Sequence, residues 1–354
     1  MTVPSSLTEL QLLVNAGKLK FVYILGPPRA NTTVLCRLLG RRLHGSVYEP
    51  AFPNTAFPTA AYGRKILGAY HAVRRRLPDG EPVALAIKDL SALMSGPERD
   101  FALDNAARVV FAIREPVLQH SSLVRQLLTE FSSGKHLPAF VKRPWETLMF
   151  GWHFGLRWPR YHRLAKQRLG IGWSQYQRMT AAGSNLDSWQ VLAEHFAEAR
   201  RRLPADRIAV IDAGLCRLMP AEAEAELDAI VAPIVPRVEP GAPPLDVAVH
   251  SMMNTRSPWV GEALTSQSFK AFRAPAKVKS PIGDFDEWLP EMAGALYPYY
   301  TEMFYHPAHR LRRRFIDRPI PVPDEAEPYL GHLLAARDAE DAIARARALG
   351  RIAF

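Results

Sequence analysis

The chain has 354 residues, 48% apolar and 23% charged, enough for a sizeable core and far from the composition of a disordered segment. Its 45 basic against 35 acidic residues leave a formal charge of +10, which points to an anionic partner, a nucleotide or an acidic substrate ahead of nucleic acid. Cys36 and Cys216 fall in no metal or disulfide spacing, the N-terminal residues carry no basic-then-apolar leader, and no run reaches the roughly 18 apolar residues of a membrane span; a cytoplasmic protein with no metal and no membrane partner is expected.

In chain order, the near-continuous apolar run FVYIL (21–25) predicts a buried strand. A Gly-Pro-Pro-Arg turn follows, then a helix with Val34, Leu35, Leu38, Leu39 and Leu43 on one face. HGSVYE (44–49) predicts a weaker second strand, VALAI (83–87) a third, RVVFAI (108–113) a fourth and RIAVI (207–211) a fifth. The stretch at about 140–205, between the fourth and fifth, reads as an aromatic-rich helical insertion. Residues 233–249 (PIVPRVEPGAPPLDVAV) are proline-rich and predict an irregular loop or boundary. The tail contains LLAARDAEDAIARARAL, a charged alanine-rich helix that either caps the fold or mediates homodimerisation. Alternating strands and helices predict an α/β fold, a parallel sheet flanked by helices and joined by right-handed crossovers. One domain is expected over 1–323, with a helical tail over 324–354.

Gly26-x-x-x-x-Asn31-Thr32-Thr33 has the register of the nucleotide-triphosphate loop G-x-x-x-x-G-K-[ST], with asparagine for the second glycine and threonine for the lysine. Backbone amides at a helix N-terminus still bind an anion. Without the lysine that neutralises the β- and γ-phosphates, the loop suits ATP chemistry poorly.

Pro28-Arg29-Ala30-Asn31-Thr32-Thr33 resembles the phosphosulfate loop P-[KR]-S-G-T-T of the PAPS-dependent sulfotransferases, departing from it at Ala30 and Asn31. A second string adds to the resemblance. The family's 3′-phosphate signature is a strand ending in R-[DE]-P with a serine eight residues after the arginine, and here Arg114, Glu115, Pro116 and Ser122 stand in that order. A looser likeness is FKAFRAPAKVKSPIGDFDEWLPE, where Lys277, Lys279, Ser280, Gly283 and Trp288 resemble the basic loop and tryptophan that close over the nucleotide. The resemblance spans roughly residues 20 to 305. It implies a P-loop-type parallel sheet and PAPS as co-substrate. It assigns Arg29, Ala30, Asn31, Thr32 and Thr33 to the 5′-phosphosulfate, Arg114 and Ser122 to the 3′-phosphate, and Lys279 and Ser280 to the closing loop. Each string also has a plainer reading, as a capped helix start, a strand-end ion pair and an ordinary basic loop.

Sulfuryl transfer needs a base for the acceptor proton and positive charge on the leaving oxygen. Glu49, just after the second strand, looks like the glutamate base of tyrosylprotein and heparan-type sulfotransferases. Lys88 ends the third strand in Lys88-Asp89-Leu90, which resembles the family's K-D-P or K-T-H string, and would stabilise the bridging oxygen. No histidine stands in that string, so Glu49 is the expected base and Asp89 the reserve. The plain readings are an ion-paired glutamate and a strand-end lysine. His120, His153 and His162 are not expected to react.

On the acceptor side, Phe150, Trp152, Phe154, Trp158 and Tyr161, then Trp173 and Tyr176, form either an apolar pocket or helix core. Arg157, Arg160 and Arg163 interleave with them, and fit an acidic acceptor, the phosphopantetheine arm of a carrier protein or a solvated face. The expected activity is transfer of the sulfuryl group from PAPS to a hydroxyl of a small-molecule acceptor, free or carrier-tethered. The alternatives are a non-catalytic nucleotide-binding or interaction module and a divergent ATP-dependent small-molecule kinase.

Overall fold

A computed structural model of the chain describes residues 5–52, 57–132, 144–170, 176–234, 245–248, 268–270, 272 and 289–353. Six strands form one parallel sheet: β1 (Leu19–Gly26), β2 (Gly45–Tyr48), β3 (Val83–Leu90), β4 (Arg108–Ile113), β5 (Ile208–Asp212) and β6 (Leu245–Ala248), in the order β5-β4-β1-β3-β2-β6. The five expected strands are present. The sixth corrects the expectation of irregular chain over 233–249, because Leu245–Ala248 pairs with β2 from Gly45 to Tyr48. Four residues straight after Pro243-Pro244 carry little strand signal of their own; the open edge of β2 supplies the partner.

α1 (Ser5–Asn15) precedes the sheet, and α2 (Thr32–Gly40) carries the chain from β1 towards β2. The next segment holds α3 (Pro58–Arg74) and α4 (Gly96–Asn105) on either side of β3, and α5 (Pro116–Ser132) leaves the end of β4. Side chains alternate across the strands. Phe21 of β1 stacks on Phe101 of α4 with ring centroids 5.8 Å apart, and Phe101 meets Tyr62 of α3 edge-on at 6.3 Å. Phe111 of β4, on the same face by register, meets Phe196 edge-on at 5.0 Å.

Phe196 belongs to the insertion, two long helices: α6 (Pro144–Leu169) and α7 (Tyr176–Arg202). Gly183 lets them approach, since a Cβ there would lie 2.1 Å from the Tyr161 carbonyl oxygen. After β5 come α8 (Ala213–Leu218), α9 (Pro220–Val231), α10 (Leu289–Phe304) and α11 (Arg310–Asp317). The tail is not one helix. It forms α12 (His332–Ala335) and α13 (Ala339–Ala348), broken where the Asp338 carboxylate accepts from the Asp341 amide at 2.9 Å and starts a new helix. Leu330, Leu333, Ala342 and Ala346 are completely buried in the common core.

β1 lies between β3 and β4, and the chain runs to β2 and β3 on one side before crossing to β4 on the other. The carboxyl end of β1 is therefore a topological switch point, where α/β sheets open a crevice. Arg29, Glu49, Lys88 and Arg114 all stand at carboxyl ends around it.

Candidate functional site

The loop between β1 and α2 is held by backbone geometry. Gly26 closes β1 because a Cβ there would lie 2.6 Å from both the Ala112 carbonyl oxygen and the Thr32 methyl. Arg29 (φ 68°) and Asn31 (φ 62°) are both left-handed, on either side of the buried Ala30. Asparagine tolerates that conformation better than most residues with a Cβ. Alternating handedness turns successive amides to one side, a concavity suited to an anion. Asn31 is the N-cap of α2, but its side chain does not cap the helix, and the first turn carries no acidic residue. The amides and dipole of α2 remain directed at the loop.

The second string folds onto this loop. Arg114 follows β4, and its Nη1 donates to the Arg29 carbonyl oxygen at 3.3 Å. Arg29 Nε in turn donates to Ser122 Oγ, one and a half turns into α5, at 3.2 Å. Arg29, Arg114 and Ser122 form one hydrogen-bonded cluster. Gln119 of α5 fixes the loop by donating to the Pro28 carbonyl oxygen at 2.5 Å, and is itself held by Asn185 of α7. His120, expected on a helix face, is buried against Asn185 Nδ2 at 3.0 Å, and burial lowers its proton affinity to about 4.

Charge in this corner is unbalanced. Burial, and then Arg217 and Arg29, lower the Arg114 pKa to about 9, against opposing pulls from Glu115 and Asp212. Both carboxylates are already engaged. Glu115 accepts from the Leu118 amide at 2.8 Å and from Tyr297 Oη at 3.0 Å; Asp212 accepts from the Leu215 amide at 2.8 Å and from Tyr300 Oη at 3.2 Å. Burial raises them to about 7 and about 6. Arg217 of α8, which the motifs do not flag, is the third arginine here. A search for basic residues within two turns of every strand's carboxyl end would have found it.

On the other side of β1, Lys88 Nζ forms a buried ion pair with Glu49 Oε1, and the Glu49 amide donates to the Lys88 carbonyl oxygen at 2.6 Å. Glu49 is left-handed (φ 50°), and its carbonyl accepts from the Phe52 amide at 3.0 Å, which turns the chain sharply after β2. Asp89 points to the opposite face, where it accepts from the Ala51 amide at 2.9 Å and from Tyr23 Oη, with burial raising it to about 7. Both its oxygens are occupied in the core, so Asp89 braces the strand end and does not face the loop.

The described aromatic side chains of α6 have different surroundings. Trp152 is exposed, Tyr161 is buried, and Trp158 packs on His162 with centroids 4.6 Å apart. Arg160 pairs with Asp187 at 2.5 Å. Trp173, Lys277, Lys279, Ser280, Gly283 and Trp288, and the side chains of Phe150, Phe154 and Tyr176, lie outside the described residues. No helix among the described residues is long and apolar enough to cross a membrane. Among them too, no group of histidine, cysteine, aspartate and glutamate is placed to hold a metal ion. No family model, curated protein or solved structure matches the chain.

Proposed function

We propose that the protein is a sulfotransferase that moves the sulfuryl group of PAPS to a hydroxyl of a small-molecule acceptor, and that its sheet is of the P-loop type. The observation that carries this reading is the cluster of Arg29, Arg114 and Ser122 against a left-handed loop at an uncapped helix start. Arginine suits an oxyanion because its planar fork donates two bonds to it. The donor carries anionic groups at both its 3′ and 5′ ends, and a corner with more cationic than available anionic groups fits it. The loop amides, Thr32, Thr33 and Arg29 would hold the 5′-phosphosulfate, and Arg114 and Ser122 the 3′-phosphate.

In the transfer, the acceptor oxygen bonds to sulfur as the bond from sulfur to the phosphate oxygen breaks. Glu49 takes the hydroxyl proton, and Lys88 donates to the phosphate oxygen that leaves, so that 3′,5′-ADP and a sulfate monoester result. The ion pair between the two orients both for these roles. The same ion pair favours a second reading, a nucleotide-binding module without turnover, in which the pair is only structural. Thr32 in place of the lysine argues against a kinase.

Thermal shifts with 3′,5′-ADP, ADP and AMP test the donor site. Specific binding stabilises by about 2.7 kcal/mol at a hundredfold excess over Kd. Greater stabilisation by 3′,5′-ADP, lost in Arg114→Ala, is the expected result; equal shifts with all three nucleotides would refute it. Glu49→Gln should keep 3′,5′-ADP binding and abolish sulfuryl transfer from PAPS, whereas unimpaired transfer would remove Glu49 as base.

A further inference from the structure

We propose that Arg217 joins Arg114 in a paired-arginine phosphate subsite at the carboxyl ends of β4 and β5, which takes the phosphate farther from the β1–α2 loop. The inference rests on the donor reading above and adds to it a residue that neither motif contains.

Strand register brings the two arginines to one corner. Ile113 at the end of β4 lies opposite Asp212 at the end of β5, so Arg114 and α8 leave the sheet side by side. Asp212 caps α8 through the Leu215 amide, which fixes the short helix to the strand and sets Arg217 in its last turn. Gly214 permits this packing, since a Cβ there would lie 2.9 Å from the Asp212 carboxylate and 3.1 Å from Leu330.

The guanidinium of Arg217 is half-buried, and its Nε is sealed from solvent with no hydrogen-bond partner. Burial lowers its hold on the proton, and no described carboxylate acts against that. The described acidic residues whose charges act on Arg114 or Cys216 each make other contacts. Asp212 serves the Leu215 amide and Tyr300, and Glu115 serves the Leu118 amide and Tyr297. Glu224 pairs with Arg42, and Glu226 with Arg310 and Arg314. Arg217 is also the cation that acts most strongly on Arg114, ahead of Arg29.

A half-buried cation beside Arg114, with an orphaned donor, disfavours the empty fold; a phosphate monoester dianion cancels that penalty. Two forks can donate to several oxygens of one such group. A neutral ribose hydroxyl at the same place would leave the second charge unbalanced. The pair should therefore discriminate a 3′-phosphorylated nucleotide from its unphosphorylated counterpart.

Calorimetric titration of the full chain with 3′,5′-ADP and with 5′-AMP tests this. The R217Q variant should lose at least tenfold of the wild-type preference for 3′,5′-ADP, while its 5′-AMP affinity changes less than twofold. R217K should fall between. Without ligand, R217Q should melt at the wild-type temperature or above it, because like-charge repulsion is relieved; a merely structural arginine would show the reverse. An unchanged preference, or an equal loss of both nucleotides, overturns the subsite. Should the wild type show no preference at all, the donor reading falls, and inorganic phosphate then decides: stabilisation of wild type but not of R217Q keeps the subsite, and equal stabilisation of both overturns it.

Discussion

Arg29, Asn31 and Glu49 are the non-glycine residues with left-handed backbones among those described, and they stand at the carboxyl ends of β1 and β2. A left-handed residue with a Cβ is strained by roughly 1–2 kcal/mol, and such strain collects at ligand sites. Asn31→Ala should lower stability to urea by about 1 kcal/mol, and Asn31→Gly should not. Lys88→Met removes the ammonium that balances the buried Glu49 carboxylate, an expected loss of about 3–5 kcal/mol, most of which the double variant with Glu49→Gln recovers. Glu115 predicts a pH effect. Its folded pKa of about 7 lies above the ordinary 4.5, so the native state binds the extra proton. Its contribution is fully present at low pH and declines as pH rises from about 4.5 to 7. Glu115→Gln still accepts from the Leu118 amide, and Tyr297 turns its hydroxyl to His332 Nε2, 2.8 Å away. Relative to wild type, this variant should gain up to about 3 kcal/mol over that interval, read from urea melts at each pH; a constant difference would show that the carboxyl does not titrate there.

At the scale of elements, apolar runs marked four of the six strands, because a parallel strand buried on both faces leaves an unbroken apolar word, and the weaker HGSVYE marked a fifth. β6 escaped because four residues straight after Pro243-Pro244 become a strand only when β2 offers its edge. The tail helix was misjudged for a related reason. Alanine-rich periodicity runs through 336–338, yet Asp338 satisfies the α13 amides better as a cap than as a helix interior. The pairing of α6 with α7 also depends on a detail that periodicity does not carry. At Gly183 the chain lies against the Tyr161 backbone, and Gly183→Ala should force the helices apart. An expected loss of about 1–3 kcal/mol is measurable as a lower Tm. An unchanged Tm would mean that α7 repacks without strain.

For the whole molecule, the tail is part of the core. Tyr297 of α10 contacts His332, Tyr305 Oη donates to the Leu333 carbonyl oxygen at 2.5 Å, and Leu330 and Leu333 are completely buried. A chain ending at residue 323 should lose about 5 kcal/mol or more, at roughly 2–3 for each buried leucine and further for the alanine face of α13. It should then expose apolar surface to a dye such as ANS, and a truncated chain with wild-type stability would contradict the packing described. The sequence by itself determined the α/β class, the order of five strands, the loop after the first strand and the Arg114–Ser122 spacing. These follow from local periodicity and turn chemistry, which are written in neighbouring residues. Only the tertiary structure decided that Asp89 turns away from Glu49 and Lys88, that Arg29 meets Ser122, and that Arg217 stands beside Arg114 without a counter-ion among the described residues. Those facts depend on strand register and on which charges burial leaves unpaired, and both are set by residues distant in the chain.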